Sequence, residues 1–259
     1  MHNVAIRDLS FAYDDNPLIL QNLNLDVSAG SFVCLLGQSG CGKSTFLRLL
    51  AGLETPTNGE ILLDGQPITK AGLDRGIVFQ DYGLFPWMSA GENIMLALRQ
   101  RFPKESKKAL KTVGLKMLRE VGLNEATYKK LPKSLSGGMK QRCAIAQAFC
   151  LDPPTLLMDE PFGALDAMTR AKLQNLVLEL WSKQAPKKTV FFVTHDVDEA
   201  MLLASRILVF SQSVGNVIYE HSFLDGQRPT RKTLFENPEF LQLRNLIIQQ
   251  INRDLTAQI

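Results

Sequence analysis

A chain of 259 residues with 45% hydrophobic content has enough apolar matter to bury a substantial core, as one large domain or one domain with an inserted subdomain, which excludes intrinsic disorder. Its longest apolar runs, such as Phe32 to Leu36 and Ile207 to Phe210, fall far short of the roughly 18–20 residues that cross a bilayer. A net charge of +3, spread in short clusters such as Lys107-Lys108 and Lys129-Lys130, is no nucleic-acid footprint, so no nucleic-acid partner is expected.

Met1 to Phe11 already contains Arg7 and Asp8 and lacks the basic-then-apolar layout of a secretory signal, so a cytoplasmic location is expected. Val4 to Tyr13 and Ile19 to Val27 alternate in the manner of an antiparallel flanking sheet, with Pro17 and Gly30 as punctuation. Phe32 to Leu36, Gly76 to Phe79, Thr155 to Met158, Val190 to Val193 and Ile207 to Phe210 read as buried strands. From about Glu105 to Gly122 the apolar positions 109, 110, 113, 117, 118 and 121 follow a helical period, and residues 81–150 read as a helical insertion. After Ser211 the dense apolar runs stop, and a closing helix is expected over Pro238 to Ile251. The fold class is therefore α/β with a mostly parallel central sheet. The expected division is a core of 1–80 and 151–212, a helical segment of 81–150 and a tail of 213–259. Cys34, Cys41, Cys143 and Cys150 show no CxxC spacing and read as reduced, partly buried thiols.

Gly37, Gln38, Ser39, Gly40, Cys41, Gly42, Lys43, Ser44 and Thr45 spell G-x-x-x-x-G-K-[ST] between an apolar strand and a helical run, Thr45 to Leu53. The glycines let backbone N–H groups turn inward as an anion nest, and the helix N-terminus adds partial positive charge. Lys43 suits the β- and γ-phosphates, and the Ser44 hydroxyl suits Mg²⁺. No chemistry is assigned to Cys41, a small residue between two glycines. The loop by itself says only that a nucleotide binds.

Thr155 to Glu160 is an apolar strand that delivers two carboxylates to the carboxyl edge of a sheet. Side chains alternate along a strand, which separates two roles: Asp159 for the metal shell and Glu160 for activating the attacking water. Gln80 and His195 also follow apolar strands. Taken singly, Gln80 reads equally as a ligand to metal and water or as a loop amide, and His195 as a γ-phosphate contact or a capping residue.

Leu135-Ser136-Gly137-Gly138-Met139-Lys140-Gln141-Arg142 resembles the signature of ABC ATPases, some twenty residues before Asp159-Glu160. Ser136, Gly137 and Gly138 open a helical run to Cys150 and make a second phosphate-sized helix end. In that family two subunits pair head to tail, each ATP lying between the phosphate loop of one and the signature of the other. The resemblance, covering most of residues 4 to 212, implies the P-loop ABC ATPase fold, ATP and Mg²⁺ as cofactors, and a homodimer. It also implies that Tyr13 stacks on adenine, that Gln80 is the lid glutamine and a metal ligand, that Asp166 lies in the loop crossing the dimer, and that His195 is the switch histidine.

Tyr82 to Met88, just after Gln80, is unusually apolar for a loop. It falls where the family docks a permease helix, or else it packs into the domain's own core. This segment and the short tail, with Arg228-Pro229 and Asn237-Pro238-Glu239-Phe240, resemble the nitrate, sulfonate and taurine branch of importer ATPases. That implies a peripheral subunit on the cytoplasmic membrane face, bound to integral membrane permease subunits and served indirectly by an extracytoplasmic solute-binding protein. The rival expectation is a non-transport ABC ATPase acting on a soluble or nucleic-acid machine.

Overall fold

The computed structural model describes residues 2–14, 16–212, 215–224 and 226–256, with side chains as far as residue 252. It divides into two compact units, residues 1–72 with 184–259 and residues 73–183.

In the first unit the expected antiparallel flank forms. β1 (Val4–Phe11) runs against β2 (Leu20–Val27), with Val4 opposite Val27 and Phe11 opposite Leu20. On its other side β1 pairs with β4 (Asn58–Leu63), which carries the two-residue β5 (Gln66–Pro67). The sequence reading did not anticipate β4, because Asn58, Gly59 and Glu60 are exposed and only Ile61 and Leu63 are buried. The apolar run Phe32–Leu36 is β3, all five residues buried, with β8 (Thr189–Val193) and β9 (Arg206–Phe210) as parallel neighbours. A run buried on both faces is how such a strand reads in sequence. β10 (Val217–Ser222) adds antiparallel to β9; half-exposed along its length, it has no apolar run to announce it.

Helix α1 (Lys43–Ala51) follows β3 and packs on β8, where the Phe46 ring meets those of Phe191 and Phe210 at 6.2 and 5.6 Å. α6 (Val197–Leu203) lies on β3, and α7 (Thr233–Glu236) and α8 (Pro238–Thr256) lie on α6. α8 begins at the proline where the closing helix was expected.

The second unit holds the parallel pair β6 (Arg75–Val78) and β7 (Thr155–Asp159). Between them come α2 (Ala90–Arg101), α3 (Lys107–Glu120) and α4 (Gly137–Cys150), which pack on one another, with α4 also against β6; α5 (Ala167–Ser182) follows β7. Gly114 lets α3 approach α2 closely, since a Cβ there would stand 3.2 Å from Ile94. The four cysteines are buried and not disulfide-bonded. Burial pushes the Cys143 and Cys150 thiols up to about 12. Among the described residues no helix is long and apolar enough to cross a membrane.

Candidate functional site

The phosphate loop turns on three glycines in the left-handed region, Gly37, Gly40 and Gly42 at φ 150°, 85° and 91°. At Gly37 space is also short: a Cβ would stand 2.7 Å from Cys41 Sγ and 2.9 Å from the Phe210 carbonyl oxygen. Lys43, only 4% exposed, reaches back across the loop and donates to the carbonyls of Gly37 and Gln38 at 2.9 and 2.7 Å. Helix α1 differs at its start from α2 to α6. Ser89, Ser106, Ser136, Asp166 and Asp196 each accept a first-turn N–H of α2, α3, α4, α5 and α6, whereas the N-cap of α1 is Gly42, with no side-chain hydrogen bond. First-turn N–H groups have no partner within their own helix, and at α1 no capping side chain competes with an anion. The loop therefore fits a phosphate chain.

The register of the first unit carries His195 to the same edge as the loop. Leu35 in β3 is opposite Val193 in β8, so Gly37 and His195 each follow two residues beyond the paired ends. His195 is exposed, and its neighbours are tied down: the Thr194 N–H donates to the Leu35 carbonyl at 3.1 Å, and the Asp196 N–H to Thr194 Oγ1 at 3.0 Å. Tyr13 is half-buried just past β1, its ring edge-on to Phe11 at 4.7 Å. Its carbonyl accepts from the backbone and side chain of Asn16. The chain returns at Ile19, whose N–H donates to the Phe11 carbonyl, and Ile19 and Leu20 back the loop, each 3.0 Å from where a Cβ on Gly42 would be.

In the second unit Val78 is opposite Met158, so Gln80 and Glu160 both lie two residues past the last paired position of adjacent parallel strands. Gln80 is exposed, and Asp159 and Glu160 are half-buried. Strand β7 ends at Asp159 and Glu160 takes φ 41°, so the separation of the two acids rests on a backbone turn rather than on strand alternation. The signature opens α4, with Ser136 Oγ accepting the Met139 N–H at 3.3 Å. A Cβ on Gly137 would meet the Tyr82 hydroxyl at 3.3 Å and Leu165 at 3.6 Å, and one on Gly138 would meet Thr169 at 2.8 Å. The signature, the loop after Gln80 and the start of α5 thus converge within this unit. Asp166 is the N-cap of α5. Hydrogen bonds from Thr169, side chain first and then backbone, hold its carboxyl below the usual range.

Two residues escaped the sequence reading. Asn93, fully buried in α2, accepts the Phe85 N–H at 2.8 Å and donates to the carbonyls of Phe85, Met88 and Ser89. It fastens the apolar loop to the helix, and the loop's aromatics face outward: Phe85 is 40% and Trp87 70% exposed, their rings 5.4 Å apart. The core-packing alternative for these residues does not hold. Gly215 is wedged behind the phosphate loop, where a Cβ would stand 2.6–2.8 Å from Leu20, the Ile19 oxygen and the Cys41 oxygen. A glycine followed by Asn216 was its only signal in the sequence.

Residues 20–163 match the ABC transporter family model. This chain belongs to the ABC transporter family. The ABC cassette is similar to the nitrate import ATP-binding protein NrtD of Synechococcus elongatus, 46% identical over 226 residues that span 87% of this chain and 81% of that protein. The bicarbonate transport ATP-binding protein CmpD of Synechocystis sp. is 41% identical over 228 residues, 88% of this chain and 80% of that one. A solved dimeric structure of the ATP-binding cassette MJ0796, in a post-hydrolysis state bound to ADP and Pi, superposes with a TM-score of 0.74 at 32% identity, covering 85% of this chain and 98% of the other. The ABC cassette is an ATPase with this α/β architecture.

Proposed function

We propose that this cassette hydrolyses ATP to drive import of a small anion, of nitrate, bicarbonate or sulfonate type, through a separate permease at the cytoplasmic face of the membrane. Lys43 and the loop N–H groups hold the β- and γ-phosphates, and Tyr13 stacks on the adenine. Ser44, Asp159 and Gln80 are an oxygen-donor set of the kind a hard cation takes, and Mg²⁺ when bound neutralises charge on the phosphate oxygens. Glu160 orients and deprotonates the attacking water, and His195 contacts the γ-phosphate. Ser136, Gly137 and Gly138 of a second copy close over the nucleotide, with Asp166 at the crossing between copies. Dimer closure and reopening is then the two-state element that drives the permease, and an extracytoplasmic binding protein supplies the solute to it.

The observation that carries the coupling is continuity. Gln80 and the exposed Trp87 belong to one short loop, pinned at its far end by Asn93, so a movement at the nucleotide's lid residue is a movement of an exposed aromatic patch. The likeness to NrtD and CmpD supports the import direction and the anionic class of solute. The test is a tagged pull-down of Glu160→Gln with MgATP from detergent-solubilised membranes of the native host. Recovery of a multi-span permease is expected, and transport assays with its cognate binding protein then name the solute. Recovery of only soluble, ribosomal or nucleic-acid partners would replace transport with the non-transport reading.

A further inference from the structure

The tail has no part in that mechanism, yet the structure fastens it to the helix that follows His195. α6 starts two residues after His195, and at seven residues it is too short to hold itself by helix cooperativity. Its inner residues Ala200, Met201 and Leu203 are buried as it packs on β3. Its outer side is clasped at both ends by arginines of the tail. Arg244 of α8 forks onto Asp198 in the first turn, Nε to Oδ1 and Nη2 to Oδ2 at 3.3 Å. Arg228 Nη1 donates at 2.8 Å to the carbonyl of Leu203, the last residue of the helix.

Both clasps suit their positions. A planar guanidinium matches a carboxylate with two parallel bonds, and a cation at a helix C-terminus meets its terminal carbonyls. The Arg244–Asp198 pair is about two-thirds buried, with side-chain exposures of 32% and 28%, so it is screened less than a surface pair. Asp198, and more weakly Asp196, raise the Arg244 pKa, which puts the cation by the cap of α6 as well. That cap links back to the histidine: Asp196 accepts the Glu199 N–H at 3.1 Å and donates its own N–H to Thr194. His195 thus stands in a two-point mount, β3 holding Thr194 on one side and α6 holding Asp196 on the other.

We propose that Arg244 and Arg228 are positioning residues for His195, the tail acting as a clasp that sets α6 and through it the histidine. The proposal rests on the reading of His195 as a γ-phosphate contact. A displacement of about 1 Å at a group remote from the chemistry is enough to slow a reaction by one to two orders of magnitude, while nucleotide affinity, set by the phosphate loop and Tyr13, has no reason to change.

The experiment measures phosphate release by the full chain under titrated MgATP, beside thermal unfolding, for Arg244→Ala, Arg244→Lys, Arg228→Ala, Asp198→Asn and His195→Ala. For Arg244→Ala, kcat is expected to fall about tenfold with KM for ATP within about twofold and the folded fraction unchanged. Arg244→Lys should recover only part of the loss, because an ammonium cannot fork, and Arg244→Ala/Asp198→Asn should be no worse than Arg244→Ala alone, because both break one link. If Arg244→Ala does not fold, the isosteric Asp198→Asn and the remote Arg228→Ala carry the same expectation. Wild-type kcat in these variants beside an inactive His195→Ala overturns the clasp and leaves the histidine's role standing. Wild-type kcat in His195→Ala removes the reading beneath it. A loss of kcat that merely tracks a loss of folded protein reduces the tail to a stabilising element and also overturns the proposal.

Discussion

Glu160 stands at φ 41°, in the left-handed region that costs a residue with a Cβ roughly 1–2 kcal/mol. Asparagine visits this region far more readily than glutamine, so the two amides separate backbone strain from chemistry. Both Glu160→Asn and Glu160→Gln remove the proposed water-activating carboxylate, and turnover should fall by about 10²–10⁴ with MgATP binding retained. Denaturant titration should find Glu160→Asn more stable than Glu160→Gln by about 0.5–1 kcal/mol. Equal stabilities would mean that the φ value carries no cost there. Asp166 offers a pH test. Its folded pKa is lowered by its bonds to Thr169, so its contribution is present above the unfolded carboxylate pKa and is lost as pH falls through the folded value. Amide exchange at Thr169 should accelerate below the ordinary carboxylate range, and Asp166→Asn, which caps without titrating, should flatten that dependence. The positions of Asp159 and Glu160 were legible in sequence because they close an apolar run that only a buried strand explains, and that of Lys43 because the glycine spacing of its loop follows another. The turn at Glu160 was not, since a positive φ at glutamate leaves no mark in residue type.

At the scale of elements, the loop from Gln80 to Met88 depends on one buried side chain. Asn93→Ala removes one bond accepted and three donated by Asn93 and strands the loop's backbone groups, a loss of about 1–3 kcal/mol. Isolated ATPase activity should persist, because the side-chain hydrogen bonds of Asn93 go to Phe85, Met88 and Ser89, outside the proposed nucleotide site, while capture of the permease should weaken together with that of Trp87→Ala. Intact capture by both variants would take the aromatic loop out of the interface. Asn93 was illegible for a physical reason: an asparagine in the first turn of a helix reads as a cap or a solvated polar residue, and only the fold shows its amide turned inward on the loop. The same logic divides the strands. β3, β8 and β9 are buried on both faces and announce themselves as unbroken apolar runs. β4 begins with three exposed residues and β10 alternates half-exposed with exposed, so tertiary pairing forms them where local pattern does not.

One chain carries two helix ends suited to phosphate: α1 behind a loop with no capping side chain, and α4 behind Ser136, which takes a single N–H. One nucleotide does not need both from the same copy, which is why a head-to-tail pair is the natural reading, and that pairing makes a prediction no single subunit can satisfy. In a Glu160→Gln background, Lys43→Ala breaks the phosphate loop and Ser136→Glu sets a carboxylate against phosphate at the signature. Each variant alone should retain no labelled ATP through desalting. When the two are mixed, the loop of the Ser136→Glu copy meets the intact signature of the Lys43→Ala copy. Random pairing makes half the dimers mixed, each with one whole site, so retained ATP should reach about a quarter of the parent's. If both helix ends of one copy served its own nucleotide, mixing would restore nothing.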